Sequence, residues 1–308
     1  MNIFPDDNTL INYLKQILDN KNVSLISRQH SIRSSTFPAE IVRCKLNDKM
    51  ISLQCKYLNG MNHNNYGHRG AVEYEAKIYR EILSKINLPV AEYFGLIHLE
   101  NNNLCLVIEF LENAELLFRS LEENQLEKSI KWIAEFHSAF QDNYPSDIPK
   151  YTSEYYLIWP DKVEKIVSGL DGRYPWIKNI TGFFNRNINI LTNAPLTLIH
   201  GEYYPNNILI HQGQIKPIDW ESVAIAPGEI DLASSIDGHD EITKNNAIET
   251  YIKTRKLNSQ EINQLNNVLL MAQLYFHFRW IGGKPNKVEK YADRFEHLQL
   301  LSKQAGCL

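Results

Sequence analysis

The residue types best suited to chemistry lie between Leu198 and Leu232, in LIHGEYYPNNILIHQGQIKPIDWESVAIAPGEIDL. Glu202, Asn207, Asp219 and Asp231 supply three carboxylates and an amide within this stretch. The apolar run Leu196 to Ile199 predicts a short strand ending at His200-Gly201-Glu202. Ile208 to Ile210 and Ile215 to Ile218 predict two more strands, joined as a hairpin at Gln212-Gly213-Gln214. The polar side chains therefore leave the ends of neighbouring strands. Hard oxygen donors so placed suit the gathering of a metal ion and a phosphate at one point. The plainer alternative is a set of strand-end residues that solvate turns.

The order HGEYYPNNIL, then IDWE, then PGEIDLA resembles the aminoglycoside phosphotransferase and choline kinase family, small-molecule kinases with the protein-kinase-like fold. The family pattern is HGDxxxxN, an apolar hairpin, ID and a DLA-type segment. His200, Gly201, Asn207, Asp219 and Asp231 fall on it with the right spacing. The resemblance implies ATP and Mg2+ as cofactors and a catalytic trio of Glu202, Asn207 and Asp219. Glu202 would orient the acceptor hydroxyl and take its proton, while Asn207 and Asp219 would hold the metal on the phosphates. Phosphoryl transfer asks mainly for such positioning and charge neutralisation. Glu221 would assist through a water or a second metal, and Asp231 would brace the catalytic loop from below.

Glu202 departs from the family's Asp. One extra methylene adds about 1.5 Å of reach, and a misplacement of about 1 Å can cost on the order of 100-fold in rate. Either the pocket has shifted to fit, or the protein binds nucleotide without turning over. The presence of both Asn207 and Asp219 argues for an active enzyme.

These residues need a scaffold, and the earlier part of the chain predicts one. Apolar residues at Leu10, Ile11, Leu14, Ile17 and Leu18 predict a helix, and Val23 to Ile26 a first strand. Ser31 to Glu40 is a hydroxyl-rich loop. By resemblance its Ser34, Ser35 and Thr36 would cover the phosphates; the plain reading is a solvated turn. Ile41 to Leu46 and Met50 to Leu58 predict a hairpin turning at Asn47-Asp48-Lys49. Lys56 on its second strand matches the family lysine that pairs with the nucleotide's phosphates. The next helix, Gly70 to Ile86, places Glu75 on the same face as Val72, Tyr79, Ile82 and Leu83. A carboxylate buried alone costs several kcal/mol, roughly, so Glu75 needs a partner, and Lys56 is the candidate. An Asn-rich connector, Asn59 to Asn65, joins them. Leu104 to Leu111 is nearly all apolar and predicts a strand buried on both faces. By resemblance, main-chain groups at Glu109, Phe110 and Leu111 would hold the adenine.

Beyond Leu111 the pattern turns helical. Gln125 to Phe140 places His137 on an apolar face, where we assign it to the core. Tyr155, Tyr156, Trp159 and Phe183 would line an acceptor pocket or, more simply, pack as core. The acidic run Ser235 to Glu241 would attract a cationic acceptor or serve as helix ends. The aromatic group Tyr275, Phe276, Phe278 and Trp280 would cage a quaternary ammonium or pack as core. Helices are also predicted at Ile242 to Lys256, Ser259 to Ile281 and Asn286 to Gln304.

Composition excludes several classes. Hydrophobic residues make up 44% and charged residues 22% of the 308 residues, which is ordinary for a soluble globular protein. The net charge of -4 argues against nucleic acid as a partner. No apolar run reaches the ~18 residues of a membrane helix, and MNIFPDDNTL does not read as a signal peptide. Four cysteines without CxxC spacing suit a reducing cytoplasm. The expected architecture is α+β and two-lobed: a small antiparallel sheet lobe over residues 1–110 and a larger, mainly helical lobe over 111–308. The expected activity is ATP- and Mg2+-dependent transfer of the γ-phosphate to a hydroxyl of a small-molecule acceptor: an aminoglycoside, amino alcohol or sugar. The alternatives are a kinase of a peptide Ser or Thr in natural-product maturation, and a nucleotide-binding regulator impaired at Glu202.

Overall fold

The computed structural model describes residues 4–31, 37–58, 71–120, 124–170, 172–283 and 292–307. The chain forms two compact units, Met1–Ser120 with Asn206–Ser222, and Leu121–Pro205 with Val223–Leu308. The expected division near residue 110 lies short of this one. The two-residue strand Glu115–Leu116 pairs with Leu209 and Ile210, which carries the chain up to Ser120 and the hairpin after Pro205 into the first unit.

The first unit is built on a five-stranded antiparallel sheet in the order β1-β2-β3-β5-β4. Its strands are β1 (Val23–His30), β2 (Ala39–Leu46), β3 (Lys49–Tyr57), β4 (Tyr93–His98) and β5 (Leu104–Glu109). The turn between β2 and β3 is Asn47-Asp48, with φ of 47° and 68°. Two consecutive left-handed residues match the right-handed twist of a hairpin, and Asn and Asp tolerate them best among non-glycine residues. Helix α1 (Asp7–Ile17) starts at Asp6, whose carboxylate accepts from the N–H of Asn8 and Thr9, both at 3.0 Å. It lays Leu10 and Leu14 on a core that includes Val42, Leu53, Tyr57 and Val107. Each such side chain, fully buried, contributes about 1.5–3 kcal/mol. Helix α2 (Val72–Glu81) buries Val72, Ala76, Ile78 and Tyr79, with Glu75 among them. A smaller sheet joins β6 (Glu115–Leu116), β8 (Ile208–His211) and β9 (Gln214–Pro217).

The second unit is mainly helical. Its helices are α3 (Gln125–Ala139), α4 (Ser153–Ser168), α5 (Ile177–Arg186), α6 (Asn189–Thr192), α7 (Glu229–Ile236), α8 (Glu241–Arg255), α9 (Ser259–Gly283) and α10 (Ala292–Gln304). Two short strands, β7 (Thr197–Ile199) and β10 (Ala224–Ala226), pair antiparallel inside it, and both are wholly buried. Helix α4 continues through Pro160, although proline removes one helical hydrogen bond. Tyr156, Trp159 and Val163, all fully buried, anchor it on both sides of that residue. Thus Tyr156 and Trp159 are core, and the Tyr155 hydroxyl meets that of Tyr275 at 2.9 Å. Among the described residues no helix is long and apolar enough to cross a membrane.

Candidate active site

In the first unit the chain converges on Lys56. Its Nζ lies 2.7 Å from Glu75 Oε2, 2.7 Å from Asp219 Oδ1 and 3.3 Å from Glu221 Oε2. Lys56 is in register with Ala39 on β2 and Leu106 on β5, so the strand fixing it is central in the sheet. The Phe37 ring centroid sits 5.5 Å from the ammonium. Glu75 is only 2% exposed. Its second oxygen accepts from the Trp220 N–H at 3.2 Å, which ties α2 to the segment after β9.

The hairpin delivers Asp219 by a specific backbone path. The β8–β9 turn is Gln212-Gly213, with φ of 51° and 75°, the same left-handed pair that closes β2 and β3. Ile208 pairs with Pro217, and Ile218 N–H donates to the Asn207 carbonyl at 2.9 Å. Asn207 and Asp219 thereby flank the base of the hairpin. Asp219 itself has φ 68°, an uncommon conformation for a residue with a side chain. Such local strain is retained where surrounding contacts over-determine it, often at functional sites. Asp219 is also the most open member of the cluster, at 32% exposure against 1% for Glu221.

Among the described residues, three carboxylates face one ammonium in this cluster. Burial alone would push the Lys56 pKa down, but Asp219, Glu75 and Glu221 outweigh it and hold the pKa well above its usual value. Lys56 therefore stays charged. Burial pushes the Glu75 carboxyl up to about 7, against the pull of Lys56 and with the help of Asp219 and Glu221. Carboxylate oxygens of Glu75, Asp219 and Glu221 lie within 4.8 Å of one another, close enough to share a cation.

The segment expected to hold the adenine is largely self-satisfied. Glu109 N–H donates to the Glu92 carbonyl at 2.7 Å, and Phe110 N–H to the Ser52 carbonyl at 2.9 Å. The Glu109 carboxylate is ion-paired with Lys216 at 3.1 Å. Among the described residues, that leaves the Leu111 N–H as the donor of the three not engaged in this way. Ser34, Ser35 and Thr36, and the connector Asn59 to Asn65, lie outside the described residues.

The loop bearing Glu202 belongs to the second unit, where β7 ends. Asp231, in the first turn of α7, is fully buried. Its two oxygens accept from His200 N–H at 2.7 Å and Gly201 N–H at 2.9 Å. His137 Nε2 lies 3.1 Å from the first of these oxygens. Burial lowers the His137 pKa, only partly offset by Asp231, so the ring is neutral. The network assigns its tautomer. Arg255 donates to the Tyr251 hydroxyl, which donates to His137 Nδ1, each at 2.9 Å, and Nε2–H faces Asp231. Gly228 makes room for this chain. A Cβ there would lie 2.3 Å from the Tyr251 hydroxyl and 2.6 Å from His137 Nδ1. The bracing position expected for Asp231 and the core position expected for His137 are thus adjacent members of one network.

Glu202 is 3% exposed, and Arg279 Nη2 holds its Oε1 at 2.6 Å. Arg279 Nη1 also donates to the Gly201 carbonyl at 2.7 Å. The sequence reading passed over Arg279. Its signal was there: a guanidinium inside the apolar run FHFRWIGG of α9 must have a buried acceptor. Two other expectations change. The aromatic faces of Phe276 and Trp280 are taken by the Arg294 guanidinium, 5.3 and 5.1 Å from their centroids, so a resident cation occupies that cage. In the acidic run, Asp240 caps α8 by accepting from Thr243 N–H at 3.0 Å, and Asp237 pairs with Arg294.

Several solved structures that share this fold are small-molecule kinases. The GDP complex of an aminoglycoside 2'-phosphotransferase superposes with a TM-score of 0.66 at 12% identity, covering 97% of each chain. A choline kinase from Cryptosporidium parvum gives 0.66 at 16% identity, covering 98% of each chain. A spectinomycin phosphotransferase in complex with ADP and spectinomycin gives 0.61 at 15%, covering 94% of this chain and 89% of its own. At such identities the likeness establishes a shared kinase-like α+β fold. Direct sequence comparison with curated proteins finds no match. The profile of the phosphotransferase enzyme family matches residues 64–256, more than half of the chain, and the chain belongs to that family. It is a phosphotransferase of the kinase type, with an alcohol group as acceptor.

Proposed function

We propose that this protein transfers the γ-phosphate of ATP, with Mg2+, to a hydroxyl of a small amine-bearing molecule. The observation that carries the reading is the buried Lys56 ammonium held against Glu75, Asp219 and Glu221. The donor set fits magnesium, which prefers hard oxygen ligands, takes few from protein and keeps water and phosphate for the rest. Asn207 offers an amide oxygen and Asp219 a carboxylate. When bound, the ion would neutralise the phosphate oxygens.

The other roles fall to the chain. Lys56, kept charged and oriented by Glu75, binds nucleotide phosphate. Leu111 N–H and the neighbouring carbonyls hold the base. Glu202 accepts the acceptor hydroxyl's proton as that oxygen forms its bond to phosphorus and the bond to ADP breaks. Arg279 fixes the carboxylate that does so. Aminoglycosides, choline and ethanolamine are named for the structural neighbours, which supports an acceptor that carries a cationic nitrogen beside its hydroxyl.

The test is ADP release from ATP with a panel of amino alcohols and aminoglycosides, alongside thermal shift with ATP and Mg2+. Ligand at about 100 times its dissociation constant adds about 2.7 kcal/mol of stability. Stabilisation should depend on Mg2+ and vanish in Asp219→Ala and Lys56→Met. No stabilisation by nucleotide at any magnesium concentration would rule the proposal out. Binding without ADP release across the panel would favour the regulator reading of Glu202.

A further inference from the structure

Away from Lys56 the second unit holds another group of potential ligands, assembled from three helices. Asp237 follows the last turn of α7, His277 lies in α9 and His297 in α10. Asp237 Oδ1 is 3.4 Å from His277 Nε2 and 3.5 Å from His297 Nδ1, and the three ligand atoms lie within 4.8 Å of one another. We infer that Asp237, His277 and His297 form a binding site for a divalent transition-metal ion of the zinc class, with an open fourth position.

Three observations support this site. The contacts do not match an ordinary hydrogen-bonded triad, because imidazole N–H donors sit about 2.7–3.2 Å from an oxygen, and His297 Nδ1 is buried without a hydrogen-bond partner. His277 is 3% exposed, and its other ring nitrogen, Nδ1, also lacks a hydrogen-bond partner. The spacing instead suits a tetrahedral ion. Ligands about 2.0–2.1 Å from zinc lie about 3.3 Å from each other.

The surroundings orient the carboxylate. Arg294 pairs with the other oxygen, Oδ2, while its guanidinium rests on Phe276 and Trp280. That leaves Oδ1 directed at the two imidazoles, an outer-shell arrangement common at metal sites. His277 Nδ1 has no such partner, which lowers the expected affinity by about 10–100-fold relative to a site that has one. Two nitrogens and one oxygen select zinc, cobalt or nickel over magnesium. A bound ion would staple α10, the last described helix, to α7 and α9.

The experiment is titration of the metal-free full-length protein with Co2+, followed by the visible bands of four-coordinate cobalt, and then displacement with Zn2+. His297→Ala is the principal variant, because His297 is the most exposed of the three and the fold should tolerate its loss. Asp237→Asn is the second, and Asp219→Ala is the control for metal held at the Lys56 cluster. The expected result is one cobalt per chain with four-coordinate bands, displaced by Zn2+ but not by excess Mg2+. The bands should persist in Asp219→Ala. Affinity should fall at least about 10–100-fold in His297→Ala and Asp237→Asn, the range known even for outer-shell changes. Absence of the bands in the native protein, their persistence in both variants, their loss in Asp219→Ala, or displacement by Mg2+ would each overturn the site.

Discussion

Replacing Asp231 by Asn tests whether the loop bearing Glu202 is held from beneath by one carboxylate. In the native protein both oxygens are used: His200 N–H at 2.7 Å and Gly201 N–H at 2.9 Å, with His137 Nε2 at 3.1 Å from the shared oxygen. Asn keeps the shape but offers one oxygen where Asp offers two. Its NH2 then faces a donor, so at least one backbone N–H or the His137 N–H loses its acceptor in a fully buried site. Each unmatched buried donor costs about 1–3 kcal/mol, giving a total of about 2–6 kcal/mol. For a chain of this size that lowers the melting temperature by roughly 5–20 °C. The local readout is hydrogen exchange. The His200 and Gly201 amides should be among the slowest in the native protein and should open in the variant well before the helices of the same unit. A melting temperature within about a degree of native, or unchanged protection of those two amides, would refute the bracing role.

Three further outcomes follow from the same geometry. Glu202→Asp restores the family's usual residue yet should reduce ADP release by roughly 100-fold or more, because the shorter side chain gives up the 2.6 Å contact with Arg279; a faster enzyme would mean that Glu202 is an impairment. Gly228→Ala should destabilise by about 1–3 kcal/mol, since its Cβ would press on Tyr251 and His137, and an unchanged melting curve would show that the network can move aside. His137 has a folded pKa below its ordinary 6.5. The stability it supports is present above that value and is lost as pH falls below it, because the unfolded state takes up the proton first. The stability difference between native protein and His137→Gln should therefore shrink from pH 8 towards pH 5, and a constant difference would contradict the neutral assignment.

Much of this was legible in the sequence because it is local. The glycine and polar spacing from His200 to Asp231, the hairpin turn and the alternation around Lys56 are all read within a few residues. Glu75 was found by a physical conflict, a carboxylate on an apolar helix face. The same logic applied to Arg279 would have found the partner of Glu202, but that partner lies 77 residues along the chain, and no local pattern names it. The Arg255–Tyr251–His137–Asp231 chain was hidden for the same reason, since each of its residues alone looks like core or surface. Helix α4, which holds Pro160 inside it, has no counterpart among the predicted helices. Proline weakens a helix locally, whereas α4 is decided by Tyr156, Trp159 and Val163 packing into the unit's interior.

The departure at Glu202 becomes interpretable once the loop is seen to be fixed at the backbone. His200 and Gly201 are held through Asp231, and the Gly201 carbonyl through Arg279. The Tyr203 carbonyl accepts from Ser234 and Ser235 at 3.1 and 2.9 Å. With its neighbours so constrained, residue 202 has little freedom to shift its Cα, and an added methylene must be taken up by side-chain torsions. Arg279 supplies the endpoint. Its guanidinium grips the Gly201 carbonyl with one nitrogen and the Glu202 carboxylate with the other, so the loop's height and the carboxylate's reach are set by one residue. Burial makes that coupling strict, because a buried carboxylate without its guanidinium would cost about 3–5 kcal/mol. Glu202 and Arg279 thus behave as a matched pair, which is the physical reason to expect that restoring the shorter acid alone harms the site.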